Sequence, residues 1–306
     1  MTDLEVRRPK FDFSDGVDFI WNQRNPAFSF NMNATSLIII GFEQLIVEAV
    51  QEAKPLITDP AVAEEASAFL RQEAQHSSAH RKHVNALIKR YPGLQQTMDS
   101  VLAMFAELTV SKSLAYRLAY IADLEATFTP TFKMILDNAD VLFRPGDDRV
   151  ASLFLWHFVE EVEHRSSALL IYDAVVGKPW YRIGALPAVA KHLLQVMKVI
   201  ADGTNAHVPV QERKVDARTL LPFFGIRQSV LRRLPFGGVP AMDEAPPSMA
   251  GVANKEKLVA GGRVLMSQTP FHNPAHEPLP AFADEWFARW ERGGDVVRWY
   301  TAEALG

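Results

Sequence analysis

Apolar residues recur along most of this chain at intervals of three and four, the repeat of an amphipathic helix, and almost nowhere in the alternation of a half-buried strand. The first such run covers about 33–54 and stops at Pro55. A second opens at Asp59, with Pro60 in the first helical position, and ends at Tyr91-Pro92-Gly93. A shorter run comes next at about 95–108, and another at about 111–138 carries Pro130 within it. The next opens on the acidic pair Asp147-Asp148 and ends at Gly177-Lys178-Pro179. A further helix is expected at about 186–201. From 202 to 280 the texture turns irregular and rich in Pro and Gly, with one apolar-basic helical stretch near 217–234. A last amphipathic helix, 281–305, closes the chain. The pattern predicts an all-α protein: a helical bundle over 1–201, and a mostly irregular extension over 202–306 whose terminal helix packs on it.

The chemistry lies where charged residues interrupt apolar stripes. On the first helix the stripe Ser36, Ile39, Ile40, Glu43, Val47, Val50 puts Glu43 where a Leu is expected. On the second, Ala66, Phe69, Glu73, His76, His80, His83 and Leu87 share a face. The helix after Ser111 carries Leu114, Leu118, Ile121, Glu125, Phe128 and Phe132, and the next carries Val150, Phe154, His157, Glu161, His164, Ala168 and Ile171. Side chains three and four apart lie on one side of a helix, so these polar groups point into the bundle. Four inward carboxylates cannot stay ionised without cations, since each costs several kcal/mol to desolvate. No Lys or Arg stands on the stripes, and two divalent metal ions would balance the charge. The order is one isolated Glu, then Glu73-x-x-His76, then a second isolated Glu, then Glu161-x-x-His164. With 9 His in 306 residues, chance supplies fewer than one Glu-x-x-His pair, and this chain has two, both on long helices. One Glu from each of two helices and a Glu-x-x-His from each of two others is the ligand arrangement of ferritin-like di-iron or di-manganese carboxylate proteins. His157, four residues before Glu161, is a third imidazole candidate, with His80 as the alternative. An interior His of this kind commonly supports a ligand from behind, and His80, Glu160 and Thr129 are read that way. His83 is read as a partner or a surface group.

Composition narrows the options. The chain has no Cys, which removes disulfides, thiolate metal sites, iron–sulfur clusters and cysteine nucleophiles together. Lys+Arg is 32 against Asp+Glu 36, a net charge of −4, which argues against a general nucleic-acid partner. The N-terminus lacks an apolar leader, and runs such as 37–42 fall short of a membrane span, so a soluble cytoplasmic protein is expected. No Ser-His-Asp motif, P-loop or dinucleotide fingerprint occurs. Pro130 is expected to kink its helix one turn beyond Glu125, making a pocket wall with Phe128, Phe132 and Phe154; an ordinary core kink is the equal alternative. Between 181 and 233, nine Lys or Arg stand against three acids and interleave with LLPFFGI and VLRRLPF. That suits peripheral membrane contact or an anionic or lipid-like small-molecule substrate, or else a solvated or subunit-facing surface, as in a homodimer.

The segments NMNATSLIIIGFEQLI, FLRQEAQHSSAHRKHVN and WHFVEEVEHRS resemble the bacterial family named predicted metal-dependent hydrolases, a ferritin-like group, over roughly 28–201. The His-x-x-x-Glu-x-x-His arrangement is also similar to that of di-iron N-oxygenases acting on arylamines, which carry an additional His ligand on this helix. That resemblance implies Glu43, Glu73, His76, Glu125, His157, Glu161 and His164 as ligands; it is confined to the ligand pattern and carries no substrate. Two reactions suit such a site. The first is O₂-dependent oxidation of an organic substrate at two metals, iron in preference to Mn or Zn, with an external reductant and an electron-donor protein. The alternative is hydrolysis by a metal-acidified water, with Glu160 and Glu163 as nominal bases. Metal binding without catalysis ranks third, because a storage cage has no need of the extension.

Overall fold

A computed structural model of the chain describes residues 4–221 and 246–303. Among them every regular element is helical. Helix α1 is Pro26–Ala53, α2 Pro60–Arg90, α3 Leu94–Ser111, α4 Leu114–Asp137 and α5 Ala139–Leu142. Helix α6 is Asp148–Glu163, α7 Ser167–Val175, α8 Pro179–His207 and α9 Val210–Arg213. In the extension, α10 is Asn254–Ser267, α11 Ala281–Glu291 and α12 Trp299–Glu303.

The boundaries have local causes. Helix α1 starts earlier than the stripe suggests because the Asn25 side chain accepts the Phe28 N–H and Pro26 supplies a preset first turn. Asp59, Ser113 and Asp147 cap α2, α4 and α6 in the same way. Helix α8 begins at Pro179 and carries Pro187 inside it, so the start expected near 186 was one proline too late. The helix expected through 147–177 is broken at His164, where φ is −91° and ψ 15°. Here the residues turn their hydrogen bonds elsewhere: Arg165 donates to the carbonyls of Val162 and Pro274, and Ser167 Oγ donates to Glu65 on α2. The expected closing helix is likewise split after Glu291, where Gly293 adopts φ +70°. Most of the expected 217–234 helix, with the apolar-basic segments beyond 221, lies outside the described residues; 217–220 form a short 3₁₀ turn.

Residue pairings give the packing. Ser36 meets His83 and Glu43 meets His76, so α1 and α2 run antiparallel. Gln72 meets His164 and His80 meets His157, so α2 opposes α6; Glu125 faces His164 while Phe132 faces Phe158, so α4 opposes α6. Phe42 packs on Phe128 and Glu52 pairs with Arg117, which sets α4 against α1. These four helices enclose the polar cluster. One hydrophobic core on its α1–α3–α8 side is built around Phe42, Phe69 and Phe105. The other joins the N-terminal segment (Phe11, Phe13, Trp21), α6 and the extension (Trp286, Trp299). The extension is tied on by polar bonds as well: Trp299 N–H donates to Ser152 Oγ at 2.8 Å and Tyr300 N–H to Asp148 at 3.0 Å. Residues 26–56 and 179–207 are each long and apolar enough to cross a membrane by length and composition, contrary to the short runs expected; 67% of the window in the first is buried within the protein and 22% of that in the second.

Candidate metal centre

The structure brings together all seven residues singled out as ligands. Glu43 comes from α1, Glu73 and His76 from α2, Glu125 from α4, and His157 and Glu161 from α6, with His164 at the break that ends it. None is more than 3% exposed. Donor atoms of Glu43, His76, His157 and Glu161 lie within 4.8 Å of one another, as do those of Glu73, Glu161 and His164. Glu161 belongs to both sets. Glu125 closes on the second, with an oxygen 3.9 Å from His164 Nε2.

The hydrogen-bond network settles which imidazole nitrogen faces the cluster. Glu160 is a carboxylate, so His76 donates to it from Nε2 at 2.8 Å, which leaves the Nδ1 lone pair toward Glu43, Glu73 and Glu161. Gln72 donates from its amide nitrogen to the Glu5 carbonyl and to Glu163, so its oxygen accepts from His164 Nδ1 at 3.1 Å. His164 Nε2 is then free to face Glu73 at 3.2 Å and Glu161 at 3.1 Å. His157 Nε2 lies 2.7 Å from Glu161 and 3.4 Å from Glu43. Its Nδ1 contacts His80 Nε2 at 2.8 Å, and His80 Nδ1 contacts Ser36 Oγ at 2.9 Å. Ser36 Oγ also meets His83 Nδ1 at 3.0 Å. Both nitrogens of His80 are thus engaged behind His157, and His83, read as a partner or surface group, is fully buried at the far end of this row.

The electrostatics are those of a site short of positive charge. Burial, reinforced by neighbouring carboxylates, pushes Glu43, Glu73 and Glu125 above the usual range, Glu43 and Glu125 far above it. Glu161 goes the other way: burial opposes its charge, but His164 and His157 hold it well below the ordinary value. Burial likewise opposes charge on His76, yet its hydrogen bond to Glu160 and the neighbouring Glu73 carboxylate raise it. Burial, with the neighbouring His76, lowers His157 to about 4. Both oxygens of Glu43 and Glu73, Glu125 Oε1 and His76 Nδ1 are buried with no hydrogen-bond partner. Such orphaned groups are rare in folded proteins. Here they converge, and hard oxygen and imidazole donors are what divalent Fe, Mn or Zn takes.

The other expected residues take up different roles. Glu160 is fully buried between His76 and Arg7, with an Arg7 Nη1 contact of 3.2 Å. Thr129 is buried on α4, and among the described residues no hydrogen bond joins it to the cluster. Phe128, Phe132 and Phe154 form packed core rather than an open wall: Phe132 stacks on Phe158 with centroids 3.9 Å apart and on Phe128 at 4.9 Å, and Phe154 lies against His80. Helix α4 continues through Pro130. A cavity of about 490 Å³ lies instead at the α6–α7 break, lined by Glu65, Glu163, Arg165, Asp173 and His272 among others. Sequence reasoning missed Arg7 and Gln72, and it placed Ser36 on the first helix's stripe without giving it a role. Gln72 had a signal, as a polar residue directly before Glu73; Arg7 had none, because it lies in a segment without periodicity.

No curated protein and no solved structure matches the chain. A family model described as predicted metal-dependent hydrolase matches residues 5–237, most of the sequence and every residue of the cluster. On that match the chain belongs to the predicted metal-dependent hydrolase family.

Proposed function

We propose that the cluster holds two divalent metal ions and that the chain is a metal-dependent hydrolase. The carrying observation is the convergence of two donor sets on one shared carboxylate, Glu161, with six buried donor atoms lacking a hydrogen-bond partner. In this reading Glu43, Glu73, Glu125 and Glu161 supply four negative charges, and His76, His157 and His164 supply neutral donors without disturbing that balance. The four antiparallel helices around them form a ferritin-like arrangement. Metal ions bound there would acidify a water for attack on an ester or phosphate or, as iron, exchange electrons with O₂. The chain's own contribution is to hold the donors rigid. Glu160, Gln72 and His80 fix the outer nitrogens of the three imidazoles, and the aromatic packing of Trp156, Phe154 and Phe158 keeps the surroundings dry. In the same reading a small-molecule substrate enters by the cavity at the α6–α7 break, where Arg165 offers a guanidinium whose described hydrogen bonds go only to carbonyls.

Oxidation stood first on the sequence pattern alone, and the family match reverses the order. The oxidative reading is kept as the second on one observation: the donor set is four carboxylates and three imidazoles, with no thiolate, buried away from water. The deciding experiment is metal analysis of protein from cells supplied with Fe, Mn or Zn, followed by turnover of ester and phosphate substrates with and without O₂. Two metals per chain with chelator-sensitive, O₂-independent hydrolysis supports the proposal. Two metals with O₂ uptake on anaerobic reduction, and no hydrolysis, transfers it to the second reading. A protein that binds no metal under any supply sinks both.

A further inference from the structure

Behind the two Glu-x-x-His pairs lie two hydrogen-bonded chains, and both end on one cation from the non-helical N-terminal segment. In the first, His76 Nε2 donates to Glu160 Oε2 at 2.8 Å, and Glu160 Oε1 accepts from Arg7 Nη1 at 3.2 Å. In the second, His164 Nδ1 donates to Gln72, Gln72 donates to Glu163 Oε2 at 2.9 Å, and Glu163 accepts both Arg7 terminal nitrogens at 2.8 and 2.9 Å. Arg7 is only 6% exposed. Its guanidinium lies over the rings of Phe287, at 4.8 Å, and Trp286, at 5.9 Å, both on α11. The Glu5 carbonyl, two residues away, takes the second Gln72 proton at 2.9 Å. One extended stretch of chain, clamped between α11 and the break after α6, thus reaches the back of both halves of the site.

We propose that Arg7 is a positioning residue common to both metal positions: through Glu160 it orients His76, and through Glu163 and Gln72 it orients His164. The inference rests on the dinuclear reading above. The planar Arg7 fork places three bonds on two carboxylates in fixed directions, a geometry that the compact, tetrahedral ammonium of a Lys does not reproduce. Without the guanidinium, Glu160 and Glu163 lose their charge partner, and the imidazoles lose the fixed direction that lets their inner nitrogens face the same centre as Glu73 and Glu161. Docking of the N-terminal segment is then a condition for tight binding of both ions, although no atom of that segment touches a metal.

The test uses the full chain stripped of metal and titrated with Co(II), whose visible absorption reports occupancy and coordination of each ion. Two Co(II) per parent chain is the precondition; fewer refutes the dinuclear reading itself, an outcome distinct from any change in the variants. Arg7→Gln is expected to weaken both ions by roughly 10–100-fold, the usual effect of removing a partner behind a ligand. Glu163→Gln is expected to weaken one ion to that extent and leave the other within about twofold, because it cuts only the His164 branch. The double variant should bind the His164 ion no more weakly than Arg7→Gln alone. A folded Arg7→Gln protein that binds both ions like the parent overturns the proposal, since a merely structural residue would lower the melting temperature and leave the affinities alone. If Arg7→Gln fails to fold, Arg7→Lys and Glu163→Gln decide: unchanged affinities in the first, or equal weakening of both ions in the second, overturn it.

Discussion

Glu43→Gln should stabilise the metal-free protein at alkaline pH and destabilise the metal-loaded one, a reversal that few substitutions of equal size would produce. The side chain is 2% exposed, neither oxygen has a hydrogen-bond partner, and burial together with Glu73 raises its pKa well above the ordinary 4.5. A carboxyl whose folded pKa is raised binds more protons folded than unfolded, so metal-free stability falls as pH climbs above 4.5 toward the folded value. Each pH unit in that window costs about 1.4 kcal/mol, and at pH 8 the ceiling is about 5 kcal/mol relative to the ordinary 4.5. A glutamine escapes that cost but buries an amide with incomplete hydrogen bonding, at about 1–3 kcal/mol. The net gain for metal-free Glu43→Gln at pH 8 is therefore at most about 2–4 kcal/mol. Near pH 4, where the unfolded carboxyl is itself mostly protonated, the gain should vanish. The assay is urea unfolding of parent and variant at both pH values, after chelation and again with saturating metal. With metal the sign inverts, because the variant has lost one charge and one donor. Equal destabilisation at both pH values in the metal-free state would refute the reasoning, for it would mean that Glu43 is held by ordinary structural bonds.

The packing sets two further outcomes. His157→Ala should retain both metal ions, since four carboxylates and two other imidazoles remain, while changing the rate of turnover; loss of half the metal on analysis would show that His157 holds an ion by itself. Deleting 280–306 removes Trp286 and Trp299, both at most 1% exposed. Loss of such a side chain costs about 3–5 kcal/mol, and a domain holds only about 5–15 kcal/mol in all. The shortened chain should then show no cooperative thermal transition by circular dichroism, and a sharp one would place the extension outside the core.

How much of this could be read from the chain depended on whether the cause was local. The all-helical class, most helix positions and the grouping of Glu43, Glu73, His76, Glu125, Glu161 and His164 were all legible, because a 3.6-residue repeat fixes which side chains share a face. The starts of α1 and α8 were misread although their capping signals, Asn25-Pro26 and Pro179, stood in plain view. Where a side chain finds its partner, by contrast, was decided only in three dimensions. The stripes put His80 and His157 on inward faces, but only the approach of α2 to α6 made one the support of the other. The aromatic residues Phe128, Phe132 and Phe154 have the composition of a pocket, yet interhelical packing closed them into core and opened the space at the α6–α7 break instead. Arg7 is the extreme case: 153 residues separate it from Glu160, nothing periodic surrounds it, and its role exists only because burial makes an unpaired carboxylate costly wherever the chain happens to bring a guanidinium. Periodicity is a property of short stretches of sequence, whereas charge neutralisation in a low-dielectric interior is a property of the whole fold.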